Sequence, residues 1–223
     1  MLKKVIINMA SLVGCLFLLS SCEGAFDGIY DNGEAAKTAE GYGFVKINAN
    51  SHSGEIYINA TDYDRWTYIN LHNLTIDSAQ ISKNDAEPEE WDFAVHRYDA
   101  KTNGGSALEY DARSFDELDL KYKGKVDTTT FVHDTWTENK IIVDMSGMMQ
   151  GNIGYAKSYY NAELSKWLDC DLSSMPPTYT MSKKVYLVRL GDGTVAALTL
   201  KNFMNEAGTK GYMLIDYVYP YQL

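Results

Sequence analysis

The chain has 223 residues, with 20 basic against 30 acidic side chains and a net charge of −10. That balance argues against a nucleic-acid binder, which needs cations to neutralise phosphates. The length fits one domain of ordinary size, and three cysteines are too few for a disulfide framework.

Residues 1–21 read as a lipoprotein signal peptide. Lys3 and Lys4 form a basic start, and an apolar run follows from Val5 to Leu19. With Asn8 and Ser11 inside it, that run is too short and too polar for a membrane span of about 20 apolar residues. Leu19-Ser20-Ser21-Cys22 fits a lipobox, so cleavage before Cys22 leaves that thiol to carry lipid. Acyl chains contribute about 0.8 kcal/mol per buried methylene, so a multiply acylated Cys22 stays on a membrane. Cys15 leaves with the signal and Cys170 is the one thiol left, so the exported domain is held by its core alone. Losing Lys3 and Lys4 takes the net charge to −12. Residues 22–40, beginning with the lipidated Cys22, are small, acidic and aperiodic, and read as a flexible tether. Acidic residues just after the lipidated cysteine also fit the outer cell surface.

Residues 41–223 predict one mainly-β, antiparallel domain. Tyr, Val, Ile and Thr are frequent, and these suit pleated, half-buried surfaces. Strands are expected at Gly43–Ile47, Glu55–Asn59, Trp66–Leu71, Trp91–Tyr98, Lys140–Met145, Lys184–Leu190, Thr194–Leu200 and Tyr212–Tyr219. Gly191-Asp192-Gly193 between two of them reads as a hairpin turn, because glycine supplies positive φ. Helical signals are few. Asn161–Leu168 starts with a capping Asn and looks like two turns, and Arg113–Leu118 is a second short candidate. Strands dominate without βαβ alternation, so an antiparallel fold follows.

No His-Glu-x-x-His, paired Cys-x-x-Cys, phosphate loop or Gly-x-Ser-x-Gly is present, so an enzyme is not expected. His52, His72, His96 and His133 are scattered without metal-ligand spacing. His96 shares a strand face with Ala94 and Asp92 and reads as structural. Methionine is the unusual residue. Five of the seven that survive processing (Met145, Met148, Met149, Met175, Met181) fall within a window of 37 residues. Met145 and Met181 read as core filling. Met148 and Met149 lie between Gly147 and Gly151, and Met175 precedes Pro176-Pro177. A residue before proline is held extended. A thioether presented there suits a soft ligand such as haem iron or Cu(I).

Six pieces, in order and spacing, carry a resemblance. They are Tyr63–Tyr68 (YDRWTY), Trp91–Asp99 (WDFAVHRYD), Lys101–Gly105 (KTNGG), Pro177–Tyr179 (PTY), Ser182–Arg189 (SKKVYLVR) and Gly211–Pro220 (GYMLIDYVYP). Together they resemble the HmuY-like haem-binding lipoproteins, the haemophores of anaerobic bacteria. The resemblance implies a β-rich, hand-like fold that grips one haem b (iron protoporphyrin IX) between two lobes. It implies axial ligands from two segments, one after strand Lys140–Met145 and one before Pro-Thr-Tyr. Neither segment holds histidine here, so the chain looks like a bis-methionine branch, with Met148 or Met149 as first ligand and Met175 as second. Strand parity with Met145 favours Met148, with Met149 the alternate. His133 stays open as a replacement for one methionine. Tyr155, Tyr159 and Tyr160 are candidates to wall the porphyrin, and Lys157, Lys183 or Lys184 to meet its propionates.

The implied role is haem scavenging by a lipid-anchored outer-membrane protein, exposed at the cell surface or released. Haem would come from host or bacterial haemoproteins and pass to a TonB-dependent outer-membrane haem receptor. The alternative is a surface glycan-binding lipoprotein, since 17 tyrosines offer faces that stack on sugars. Cu(I) chelation by clustered thioethers is a third.

Overall fold

A computed structural model describes residues 41–174 and 176–223. The signal peptide, the tether with Cys22, and Met175 lie outside the described residues. The fold is mainly antiparallel β, as the strand texture predicts. Its strands are β1 (Gly43–Asn48), β2 (Ser53–Asn59), β3 (Arg65–Asn70), β4 (Thr75–Gln80), β5 (Phe93–His96), β6 (Asp99–Thr102), β7 (Ser106–Tyr110) and β8 (Val132–His133). They continue as β9 (Thr135–Asp144), β10 (Gly154–Tyr160), β11 (Leu168–Asp171), β12 (Thr178–Met181), β13 (Val185–Arg189), β14 (Val195–Met204) and β15 (Lys210–Val218). A seven-stranded sheet runs in the order β1-β2-β15-β14-β13-β7-β8, and a four-stranded sheet in the order β4-β3-β5-β6. Two separate two-stranded ribbons, β9–β10 and β11–β12, complete the set.

Period-2 patterning explains the layers. In β13, Tyr186 and Val188 face one way and Val185 and Leu187 the other; in β14, Ala196, Leu198 and Leu200 oppose Val195 and Ala197. The first set joins Ile69, Leu71, Phe93 and Val95, so the two large sheets meet across one core. The second set packs under helix α1 (Phe115–Tyr122) through Leu118. Both faces of these central strands are therefore covered, which is why they read as continuous apolar runs. In β15 one side is wetter, and burial alternates strictly, with Met213, Ile215 and Tyr217 inward.

The predicted hairpin turn forms: Leu190 N–H donates to the Thr194 carbonyl at 2.8 Å, and Gly193 has φ +89°. Helix α1 runs four residues beyond the predicted end at Leu118. Ser114 caps it by accepting from Glu117 N–H at 3.1 Å. The Asn161 segment makes only a 3₁₀ stretch, Leu164–Trp167, although Asn161 does cap it, accepting from Leu164 N–H at 2.9 Å. Leu168, expected at its end, begins β11 instead.

The expected strand Trp91–Tyr98 is interrupted. Chain direction reverses at Arg97-Tyr98, so that His96 pairs with Asp99 across the β5–β6 hairpin. Arg97 has φ +55°, which costs an ordinary side chain about 1–2 kcal/mol. Its guanidinium offsets this by donating to the Thr61 carbonyl at 2.7 Å and lying 4.3 Å over the Tyr63 ring. This turn presents Tyr98 and Asp99 to the space between the ribbons.

Candidate haem-binding cleft

Each ribbon is rooted in a core. Ile141, Ala156 and Tyr160 of β9–β10 pack against Trp66, Tyr68 and Trp91 on the outer face of the four-stranded sheet. Leu168, Tyr179 and Met181 of β11–β12 join the main core, next to fully buried Leu164 and Trp167. A cleft of about 250 Å³ lies between the two ribbons. Ile142, Tyr155 and Tyr160 line it from one ribbon, and Leu168, Cys170 and Leu172 from the other. Tyr98, Asp99 and Ser165 close its floor.

The electrostatics of the cleft come from Asp99, Cys170 and Lys140, with the exposed carboxylate of Asp169 also in the lining. Asp99 is 8% exposed, and burial pushes its carboxyl up to about 7, with Lys140 acting in the opposite direction. Burial also raises the Cys170 thiol, which hydrogen-bonds the Tyr98 hydroxyl. Lys140 is exposed and brings positive charge to the same space. A bulge puts it there. Thr137 pairs with Ser158 and Ile141 with Ala156, so three β9 residues (138–140) stand opposite the single Lys157.

That irregularity decides which predicted wall residues reach the cleft. Tyr155 and Tyr160 do; Tyr159 packs edge-on against Trp136 at 5.3 Å and lines a different cavity. None of the predicted lysines lines this cleft. Lys157 pairs with Glu138 at 2.9 Å, Lys184 pairs with Glu109 at 2.7 Å, and Lys183 sits in an exposed position with φ +55°. Lys140 was missed because simple alternation cannot place a bulged residue.

Both ribbon turns carry the methionines. Met148–Gln150 forms a 3₁₀ turn at the tip of β9–β10, closed by Gly151 at φ +77°. Strand parity therefore does not apply at this pair: neighbours on a 3₁₀ turn point about 120° apart rather than to opposite sides. Met148 is half-buried and Met149 is 78% exposed. Met175 falls in the segment joining β11 to β12, outside the described residues. Met181 packs on the main core as expected, whereas Met145 is half-buried and joins none of the three packed clusters.

The four histidines lie elsewhere. His96 is fully buried, its Nε2 hydrogen-bonded to the Tyr63 carbonyl at 2.8 Å and its ring 5.3 Å from Trp66. Burial pulls it down to about 4, so it is neutral and structural. His133 Nδ1 contacts the Gly105 carbonyl at 2.9 Å and lines other cavities. His72 bridges Asp92 and Asp192, and His52 occupies an exposed turn. Among the described residues, no group of three His, Cys, Asp or Glu side chains could hold a metal ion.

Comparison with known proteins agrees with this architecture. The family model for HmuY protein matches residues 62–217. A Bacteroides vulgatus protein assigned as HmuY-like and haem-binding is 53% identical, with TM-score 0.75, over 82% of this chain and 100% of its own. A Bacteroides fragilis protein assigned as a lipoprotein is 50% identical, with TM-score 0.77, over 84% of this chain and 100% of its own. The apo HmuY analogue of Tannerella forsythia is similar in fold, with TM-score 0.61 at 21% identity, over 74% of this chain and 94% of its own. No curated protein matches. The chain belongs to the HmuY family.

Proposed function

We propose that this protein is a haem-binding surface lipoprotein that holds haem b between its two ribbons through two methionine ligands. The observation that carries the reading is the pair of rooted ribbons with a lined cleft between them, one of them carrying Met148 and Met149 in its turn. The lining suits the edge of a porphyrin in chemistry, and Met148 and Met149 stand outside that lining, in the β9–β10 turn. Tyr155 and Leu172 offer flat and apolar surface to a porphyrin, backed by the buried Ile142 and Leu168, and Lys140 offers a cation to a propionate on the same lining as Asp169. Haem, when bound, would supply an iron that the neutral thioethers of Met148 and Met175 would hold. Met148 is the preferred first ligand, being more enclosed than Met149, and Met175 the second.

The protein's own residues do the rest. The ribbon walls exclude water, Lys140 orients the carboxylate edge, and the buried roots keep the ribbons from collapsing. Cys22 tethers the domain to the outer membrane, where it takes haem from host or bacterial haemoproteins and passes it to a TonB-dependent receptor. The B. fragilis relative's assignment as a lipoprotein supports the anchor.

Titration of the protein with haemin, followed by absorbance, tests the reading. Saturable one-to-one binding with a sharpened, shifted Soret band is expected, and Lys140→Met should weaken it roughly tenfold through loss of one charge-assisted contact. A Soret band identical to that of free haemin at every ratio would overturn it.

A further inference from the structure

Away from the cleft, Lys101 of β6 builds a second site. Its side chain is 4% exposed, and the ammonium stands 4.5 Å from the Trp66 ring centroid, 5.0 Å from Tyr68 and 5.2 Å from Trp91. It donates to the Tyr68 hydroxyl at 3.2 Å and to the Glu87 carboxylate. Taking an ammonium out of water is expensive unless a counter-ion follows it. Here the counter-ion comes from outside: Glu87 is 52% exposed and lies in an irregular segment before Pro88. Two cavities of about 380 and 270 Å³ adjoin this pair, and Lys101 and Glu87 are the residues that line both. The direct ion-pair partner of this buried cation is thus a half-exposed carboxylate, which also bonds Tyr68.

The larger cavity adds the features of a sugar site. Tyr159 offers an exposed aromatic face beside the buried Trp91, and the Asn103 carboxamide oxygen and His133 Nε2 line the same cavity as hydrogen-bonding groups. Tyr159 and its edge-on partner Trp136 are each 56% exposed, so this rim is open to solvent. Asp134 also lines the cavity and acts on Lys101 as a second counter-charge, while its oxygens are held by internal donors. It accepts from Thr102 N–H at 2.7 Å, the Thr102 hydroxyl at 2.9 Å and the Asn161 amide at 2.8 Å.

We propose that this cavity binds an acidic sugar, whose carboxylate displaces Glu87 from Lys101 while its ring lies against Tyr159. The site shares no lining residue with the cleft between the ribbons, and it stands whether or not that cleft takes haem.

Titrating the full chain with glucuronate, glucose and acetate, read by tryptophan fluorescence, tests it, because Trp66 and Trp91 flank Lys101. Glucuronate should give a saturable change, glucose none, and acetate binding at least roughly tenfold weaker. Glu87→Gln removes the competing carboxylate and should tighten glucuronate roughly tenfold. Tyr159→Ala, at an exposed position, should weaken it with the melting temperature unchanged. The proposal is overturned if glucuronate gives no response in both the wild type and Glu87→Gln, or if glucose or acetate binds as tightly as glucuronate.

Discussion

The indole Nε1–H of Trp167 donates to the backbone carbonyl of Tyr98 at 2.8 Å. Trp167 is fully buried at the root of the β11–β12 ribbon, and Tyr98 belongs to the β5–β6 turn that closes the cleft floor. One bond therefore joins a wall of the cleft to its base.

Trp167→Phe keeps most of the apolar contact but leaves that carbonyl without its donor. A buried orphaned acceptor costs about 1–3 kcal/mol. Urea unfolding should show a loss of that size, and the variant's haem affinity should fall with it. An unchanged midpoint would mean that the bond does not anchor the ribbon.

Two buried titratable groups give the fold opposite responses to pH. His96 is held at about 4, against about 6.5 when unfolded. Between those values the unfolded chain holds the extra proton. Its contribution to stability is therefore full above pH 6.5 and is lost as pH falls through 4, roughly 3 kcal/mol in all. Asp99 is held at about 7, against about 3.9 when unfolded, so there the folded chain holds the extra proton. It destabilises the fold progressively as pH rises from about 4 through 7, by roughly 4 kcal/mol. Asp99→Asn should therefore be more stable than wild type at pH 8, with the difference shrinking towards pH 4. His96→Gln should lose the acid-side slope. Chemical denaturation across pH 4–8 checks both, and a pH-independent difference for Asp99→Asn would contradict the burial argument.

Much of the fold could be read from the residues alone. The β13–β14 hairpin announces itself through Gly191 and Gly193 between two apolar runs, and β15 through strict alternation. The ribbons were hard to see for a physical reason. Much of the surface of β10, β11 and β12 faces solvent or the cleft, so their sequences carry little hydrophobic period. Leu168–Asp171 reads as the tail of a helix because nothing in LDCD opposes it. The β5–β6 turn was hidden because Arg97 adopts a left-handed conformation without glycine or asparagine, held there by contacts from Thr61 and Tyr63. Of the candidate site, the β9–β10 turn with Met148 and Met149 was legible as a composition anomaly. Asp99, Cys170 and Lys140 were not, since a turn, a short strand and a bulge bring them to the cleft.

The anchor is tested at Cys22. Cys22→Ala should abolish incorporation of labelled fatty acid and release the protein from the membrane fraction, with haem binding unchanged. Continued lipidation would refute the lipobox reading.

The central claim is that two thioethers hold the iron. Neutral, soft sulfur favours ferrous over ferric iron relative to imidazole, and it does not compete for protons in the ordinary range. The most direct measurement is the absorbance spectrum of oxidised and dithionite-reduced haem complexes of the wild type, Met148→Ala, Met149→Ala and Met175→Ala, from pH 7.5 to 5.5. Bis-thioether ligation gives tighter binding on reduction, a low-spin ferrous spectrum that varies little over this range, and its loss in Met175→Ala. It gives the same loss in Met148→Ala, to a greater degree than in Met149→Ala. Ferric haem held as tightly as ferrous and released as the pH falls through about 6.5, with the low-spin spectrum intact in all three variants, would contradict it.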